Sequence, residues 1–280
     1  MSFVFKLPWR IILAKIRRPF FRAWVWRPGK KVRDMLFVAG AGLLGGAMNA
    51  IAGGGSFVTL PALVAVGVPS LFANATSTVA LVPSALATAF AYRHDFEGFE
   101  GVKLSTLAII SVVGGALGAI LLLNTSQKFF DALFPFLLLF GVLVFAFGRR
   151  LGDALRKRIA IHPRALPVAQ AALGVYGGYF GGAVGVMMLA TWSVLTKASI
   201  NSMQASRHLL NASMNATAAL LFIHGGLIYW KEMAALLVSS TAGGYLAGHY
   251  GRRLDPAKAR IIISCLNATI TAMVFWRAYR

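Results

Sequence analysis

The chain has 280 residues, 58% of them hydrophobic, and 28 Lys and Arg against eight Asp and Glu give a formal charge of +20. Apolar runs of 18 residues or more recur along it, which marks a polytopic membrane protein and excludes a soluble enzyme. The basic residues gather at the ends of those runs, where they orient spans and meet anionic lipid, so the charge is no signature of nucleic-acid binding.

Residues 1–34 carry ten Lys and Arg interleaved with Phe3, Phe5, Trp9, Phe20, Phe21, Trp24 and Trp26. They read as a basic, partly helical segment on the cytoplasmic membrane surface, broken at Pro8, Pro19 and Pro28, with anionic lipids as partner. The next apolar run is long and no small-x-small cleavage site closes it, so a secretory signal peptide fits poorly.

Residues 35–148 form a first transmembrane repeat. From Met35 to Val68 there are 34 residues without a charge, about 51 Å as one helix against about 30 Å of hydrocarbon. That is too long for one straight span and too short for two. Gly53, Gly54 and Gly55 each cost about 1 kcal/mol relative to alanine inside a helix, so the run divides into 35–52 and 57–68. Backbone freed in this way is tolerated in a membrane only where protein buries it or where it lines a watery cavity, and half-helix N-termini suit an anion. The other reading of the glycines is close helix packing alone. Spans 73–92, 104–123 and 129–148 follow, then a basic linker at 149–165, expected to be cytoplasmic.

Residues 166–280 form a second repeat: 166–196, broken near Gly181, Gly182 and Gly185, then 205–223, 233–250 and 259–276. The fold class is therefore an all-α polytopic membrane protein, with about eight transmembrane elements in two homologous four-element halves whose first helices are broken. An offset of 130 relates the halves, taking Gly55 to Gly185, Ala75 to Ala205, His94 to His224, Gly114 to Gly244 and Gly118 to Gly248. The recurring Gly-x-x-x-Gly predicts that the third and seventh elements pack on each other across the pseudo-symmetry axis. A duplicated bundle with matched helix breaks is the architecture of a secondary transporter.

Counting Lys and Arg sets the orientation. If each broken segment crosses once, the cytoplasmic side, including the N-terminus, holds 21 basic residues, six lie outside and Arg207 falls within a span. If both segments are re-entrant, the split is 14 to 13. Single crossing is the preferred expectation, although it leaves Arg252, Arg253, Lys258 and Arg260 outside.

The polar residues of the spans fall on seams. Asn74, Ser77, Thr78, Ser84 and Thr88 share one helical face of the second element, and Arg207, His208, Asn211 and Asn215 repeat the idea in the sixth. Arg207 has no acidic residue near it in sequence, and a charge at membrane depth is functional by default; its guanidinium suits a tetrahedral or pyramidal oxyanion. The alternative is an arginine snorkelling to the interface. Four Asn-Ala-Ser/Thr triplets, at Asn74, Asn211, Asn215 and Asn267, lie inside apolar helices and read as polar lining rather than glycosylation sites. Cys265 is the one cysteine and the histidines are scattered, so no metal cluster and no cofactor are expected.

The stretch Asn49-Ala-Ile-Ala-Gly-Gly-Gly-Ser-Phe-Val-Thr-Leu-Pro61, with Gly67-Val-Pro69 and Ala73-Asn74-Ala-Thr-Ser-Thr, resembles the sulfite exporter TauE/SafE family of membrane permeases over residues 35–276. The second half departs from the pattern, with Ala183-Val184-Gly185 for the glycine cluster and Gln204-Ala205 for Asn-Ala. The resemblance implies a multi-pass protein of the bacterial inner membrane that carries sulfite, sulfonates or related small anions. The candidate substrate-binding residues are Asn49, Gly53, Gly54, Gly55, Ser56, Asn74, Ser77, Thr78, Gly185, Arg207, His208, Asn211 and Asn215, and a homo-oligomer is possible. A passive anion channel would use the same lining. An intramembrane enzyme would rest on Ser56 and His208, with no third group to orient the histidine.

Overall fold

The computed structural model describes residues 28–91, 93–96, 99, 101–156, 165–196, 198, 200–250 and 256–279. The basic segment at 1–27 and the middle of the linker, 157–164, lie outside the described residues. The described chain is helical: α1 (Pro28–Ala52), α2 (Ser56–Ala65), α3 (Ser70–Ala91), α4 (Leu104–Leu123), α5 (Gln127–Arg156), α6 (Ala165–Tyr179), α7 (Val184–Leu195), α8 (Ile200–His224), α9 (Trp230–Tyr250) and α10 (Pro256–Tyr279). Four stretches are long and apolar enough to cross a membrane, namely Val32–Ile51, Ser70–Phe90, Leu104–Leu123 and Gln127–Gly148. This is a multi-pass membrane protein. Breaks fall at 53–55 and 180–183, where the glycine clusters place them.

The broken segments do not continue across the bundle; each folds back on itself. A Cβ on Gly45 would meet the Thr59 side chain and, at 3.0 Å, the Gly55 carbonyl, while one on Gly55 would meet the Asn49 Cβ at 2.9 Å. Residues 45 and 59 are neighbours only if α2 runs antiparallel beside α1. In the second segment the Trp192 indole N–H, late in α7, donates to Gln170 Oε1, early in α6, at 3.2 Å. Gln170 Nε2 in turn donates to Ser111 Oγ of α4 at 2.8 Å, so this clasp ties the second hairpin to its neighbour. The expectation of single crossing is thereby corrected. The ten residues of α2 reach only about 15 Å, enough to return from the middle of the bundle to the end from which α1 set out.

The placement of the loops follows. Ser70, at the start of α3, donates to Asp131 Oδ1 of α5 at 2.5 Å, and the Tyr229 amide, just before α9, donates to Thr76 Oγ1 at 3.1 Å. The start of α1 and the end of α10 reach the same end, since Phe37, Ser70, Gln127, Met273 and Val274 line one apolar groove of about 1180 Å³. At the opposite end Phe99, Leu107, Leu166, Leu195 and Met203 form one cluster. The start of α1 and the start of α6 thus lie at opposite ends of the bundle.

Glycine pairs do the packing expected of them, but with other partners. The third and seventh elements, α4 and α9, pack principally elsewhere: α4 on α6 and α8, and α9 on α1 and α3. Gly114 lies against Gly174, where a Cβ would come within 2.9 Å of the Gly174 Cα, and Gly118 meets the backbone of Val175 and Gly178. Likewise Gly42 and Gly46 of α1 lie on Ser239 and Ser240 of α9. Such backbone approach maximises dispersion contact where lipid supplies no hydrophobic drive. Each hairpin therefore seats on a helix of the other half of the chain. Most extensive contacts recur at the 130 offset: α1 with α9 as α4 with α6, α3 with α9 as α4 with α8, α5 with α7 as α2 with α10.

Candidate functional site

The two hairpin tips meet inside the bundle. Gly53 has φ 76° and Ala183, at the 130 offset, has φ 59°. A left-handed alanine costs on the order of 1–3 kcal/mol and persists only where its surroundings over-determine it. The Gly185 Cα lies 3.5 Å from where a Cβ on Gly53 would stand. Both tips begin helices: the Phe57, Val58 and Val186 amides donate to the Gly54, Gly55 and Ala183 carbonyls at 3.1, 3.1 and 2.9 Å, and the partial positive ends of α2 and α7 come to one place.

Arg207, on α8, passes through this junction. It is 2% exposed, with Nη1 3.1 Å from the Cβ position of Gly53 and Cδ 3.3 Å from that of Gly185. Its Nη2 stands 3.0 Å from His208 Nε2. A guanidinium has donors only, so that ring nitrogen accepts and the histidine proton sits on Nδ1. A snorkelling arginine would lie in the interface, and this one lies between two helix breaks.

Beside the junction Asn49, Ser56, Thr78, Leu81, Gly181, Asn211 and Asn215 enclose a cavity of about 10 Å³, room for about one water. Asn215 Nδ2 donates to Asn211 Oδ1 at 3.1 Å, and the buried Asn215 Oδ1 has no hydrogen-bond partner. Turning both amides over together would keep their mutual hydrogen bond and exchange the bare oxygen for N–H donors. The wall can thus present donors to an anion or acceptors to water.

Other candidates lie outside the cavity wall. Ser77 Oγ is 2.6 Å from Thr59 Oγ1, and that pair holds α2 to α3. Asn74 Nδ2 donates to the Tyr179 carbonyl at 2.9 Å, capping the last turn of α6. A Cβ on Gly54 would face the rings of Phe57 at 3.4 Å and Phe145 at 3.9 Å, away from the polar wall. Gly55 is a contact between hairpin arms. Thr59 and the Gln170–Ser111–Trp192 chain were not legible as a site, because the packing of re-entrant arms brings them together across long separations.

Buried polar seams, a buried guanidinium at the meeting of two broken helices and multi-pass helical architecture define a membrane transporter. The profile of the family described as Sulfite exporter TauE/SafE matches residues 38–274, and the chain belongs to that family. It is 30% identical over 241 residues to the probable membrane transporter protein YfcA of Escherichia coli strain K12, covering 86% of each chain. It is 28% identical over 236 residues to a probable membrane transporter protein of Haemophilus influenzae, covering 83% of this chain and 89% of that one. No solved structure matches it.

Proposed function

We propose that the protein is a secondary transporter, working as an exporter, of small oxyanions such as sulfite, sulfonates or related organosulfur anions. The observation that carries this reading is the position of Arg207, 2% exposed, where the starts of α2 and α7 converge. One full charge and two half-helix N-termini make that point attractive to an anion and hostile to a cation. With both broken segments re-entrant, each half crosses three times, so the halves are inverted in the membrane and the hairpins enter from opposite faces. Six crossings and two hairpins replace the eight single crossings expected from the sequence.

Inversion supports alternating access, in which one half rocks against the other around a fixed site. A cavity of about 10 Å³ holds about one water, whereas sulfite has four heavy atoms, so the wall must part to admit it. An occluded site favours a gated carrier over a passive channel. With the N-terminus cytoplasmic, the ten basic residues before Asp34 hold the first helix end inside, consistent with the dominance of first helices. The decisive experiment is a thermal-stability screen of purified protein with sulfite, sulfate, thiosulfate, taurine and sulfoacetate, followed by flux of the best anion in proteoliposomes. A saturable melting shift and uphill flux driven by an ion gradient or membrane potential are expected. No shift with any of the five would overturn the reading.

A further inference from the structure

Asn267 and Thr271 lie one turn apart on α10 and are 1% and 4% exposed. Neither end of the Asn267 amide, nor the Thr271 hydroxyl, has a hydrogen-bond partner. Three bare polar atoms on one buried helix face are costly, and in native structures each calls for an explanation. Thr269, exposed on the same helix, folds its hydroxyl back onto the Cys265 carbonyl at 2.9 Å. Thr271 has the same option toward the Asn267 carbonyl and does not take it.

The neighbours of this pair locate it. Leu266 and Ile270 pack into a cluster with Met48, Val58, Phe145 and Val186. Val186 follows Gly185 directly, and Phe145 faces Gly54, so α10 stands against the junction of the two tips. The 130 offset sharpens this. At the places of Asn267 and Thr271, the duplicate helix α5 has Leu137 and Gly141. Gly141 is filled by the Phe57 ring, and a Cβ there would lie 3.4 Å from that of Ala183. On the α10 side the counterparts of Phe57 and Ala183 are Met187 and Gly53. One side of the pseudo-axis is plugged by an aromatic ring against glycine. The other offers an amide and a hydroxyl.

We infer that Asn267 and Thr271 are substrate-contact residues forming the second wall of the anion path, opposite the Asn49, Ser56 and Asn211 wall. The inference rests on the anion-carrier reading above. The amide N–H and the hydroxyl supply neutral donors near Arg207, a place where a cation would meet the guanidinium and two helix N-termini.

The test uses Asn267→Leu and Thr271→Val, singly and together, with sulfite as probe. Removing bare polar groups leaves the melting temperature of the ligand-free protein equal to or above the parent's, while apparent sulfite affinity falls about 2- to 10-fold per lost contact. A lower ligand-free melting temperature with unchanged sulfite affinity would make the pair structural and overturn the inference. So would loss of a sodium-induced shift with the sulfite shift intact, which would make the pair a cation site. If Arg207→Ala abolishes the sulfite shift and these variants keep it, only this inference fails. If the parent shows no shift with sulfite or with any of the other four anions of the screen, both readings fall.

Discussion

Arg207→Ala is the perturbation that bears most directly on the site. The side chain reaches past the Gly185 Cα to within 3.1 Å of the Cβ position of Gly53, so its charge sits at the crossing point, where water is excluded. Removing a charged partner from a desolvated contact costs about 2–5 kcal/mol, or about a 30- to 5,000-fold loss of affinity at about 1.4 kcal/mol per decade. Arg207→Lys keeps the charge but loses the fork that bridges anion and His208, so it falls between parent and Ala. Arg207→Gln matches Ala within a few-fold. Isothermal titration of the anion chosen by the stability screen, on correctly inserted and monodisperse protein, measures all three. Alanine binding as tight as the parent's would remove Arg207 from the site and leave the two helix N-termini as the sole positive features there.

Topology offers an independent check: with Cys265 replaced by Ser, Ser126→Cys and Lys231→Cys label from one face of the membrane and His94→Cys from the other. Labelling of 126 and 231 from opposite faces would restore single crossing and sink the re-entrant hairpins. Gly55→Ala drives a methyl into the Gly45 carbonyl and the Asn49 Cβ, an overpacking worth about 1–3 kcal/mol. Gly54→Ala makes only ordinary contacts, so melting temperatures that rank Gly54→Ala as the more damaged would contradict the described packing of the arms. Gln170→Leu strips Trp192 Nε1 of its acceptor, and the bare indole N–H costs about 1–3 kcal/mol; an unchanged melting temperature would mean that this clasp contributes nothing.

How much of this was legible beforehand depends on the range of the interaction. Helices, breaks and the duplication are local or periodic, so Gly53 to Gly55 and the 130 offset announce them directly. Of the candidates that converge, Thr78, Asn211 and Asn215 lie on helix faces that a 3.6-residue period exposes, and Asn49 and Ser56 flank the glycine break. Ser77 and Asn74 share the same seam, yet one meets Thr59 and the other the Tyr179 carbonyl, and no periodicity distinguishes lining from clasp. The re-entrant path was hidden for a different reason. A break allows a helix either to continue or to reverse, and the charge count that decides between them is an average over loops. Here the path is set by contacts between hairpin arms, Gly45 with Thr59 and Trp192 with Gln170, which no charge count records.

The exchange of partners between the halves carries a consequence for synthesis. The α6 hairpin arm emerges after α4 and finds its glycine seat, Gly114 and Gly118, already in place. The α1 arm must wait for Ser239 and Ser240 of α9, made nearly two hundred residues later, with Gly42 and Gly46 facing lipid or a temporary partner meanwhile. A chain stalled before α9 therefore holds a seated second hairpin and an unseated first one, and an early helix of the protein locks only after most of the chain has been made.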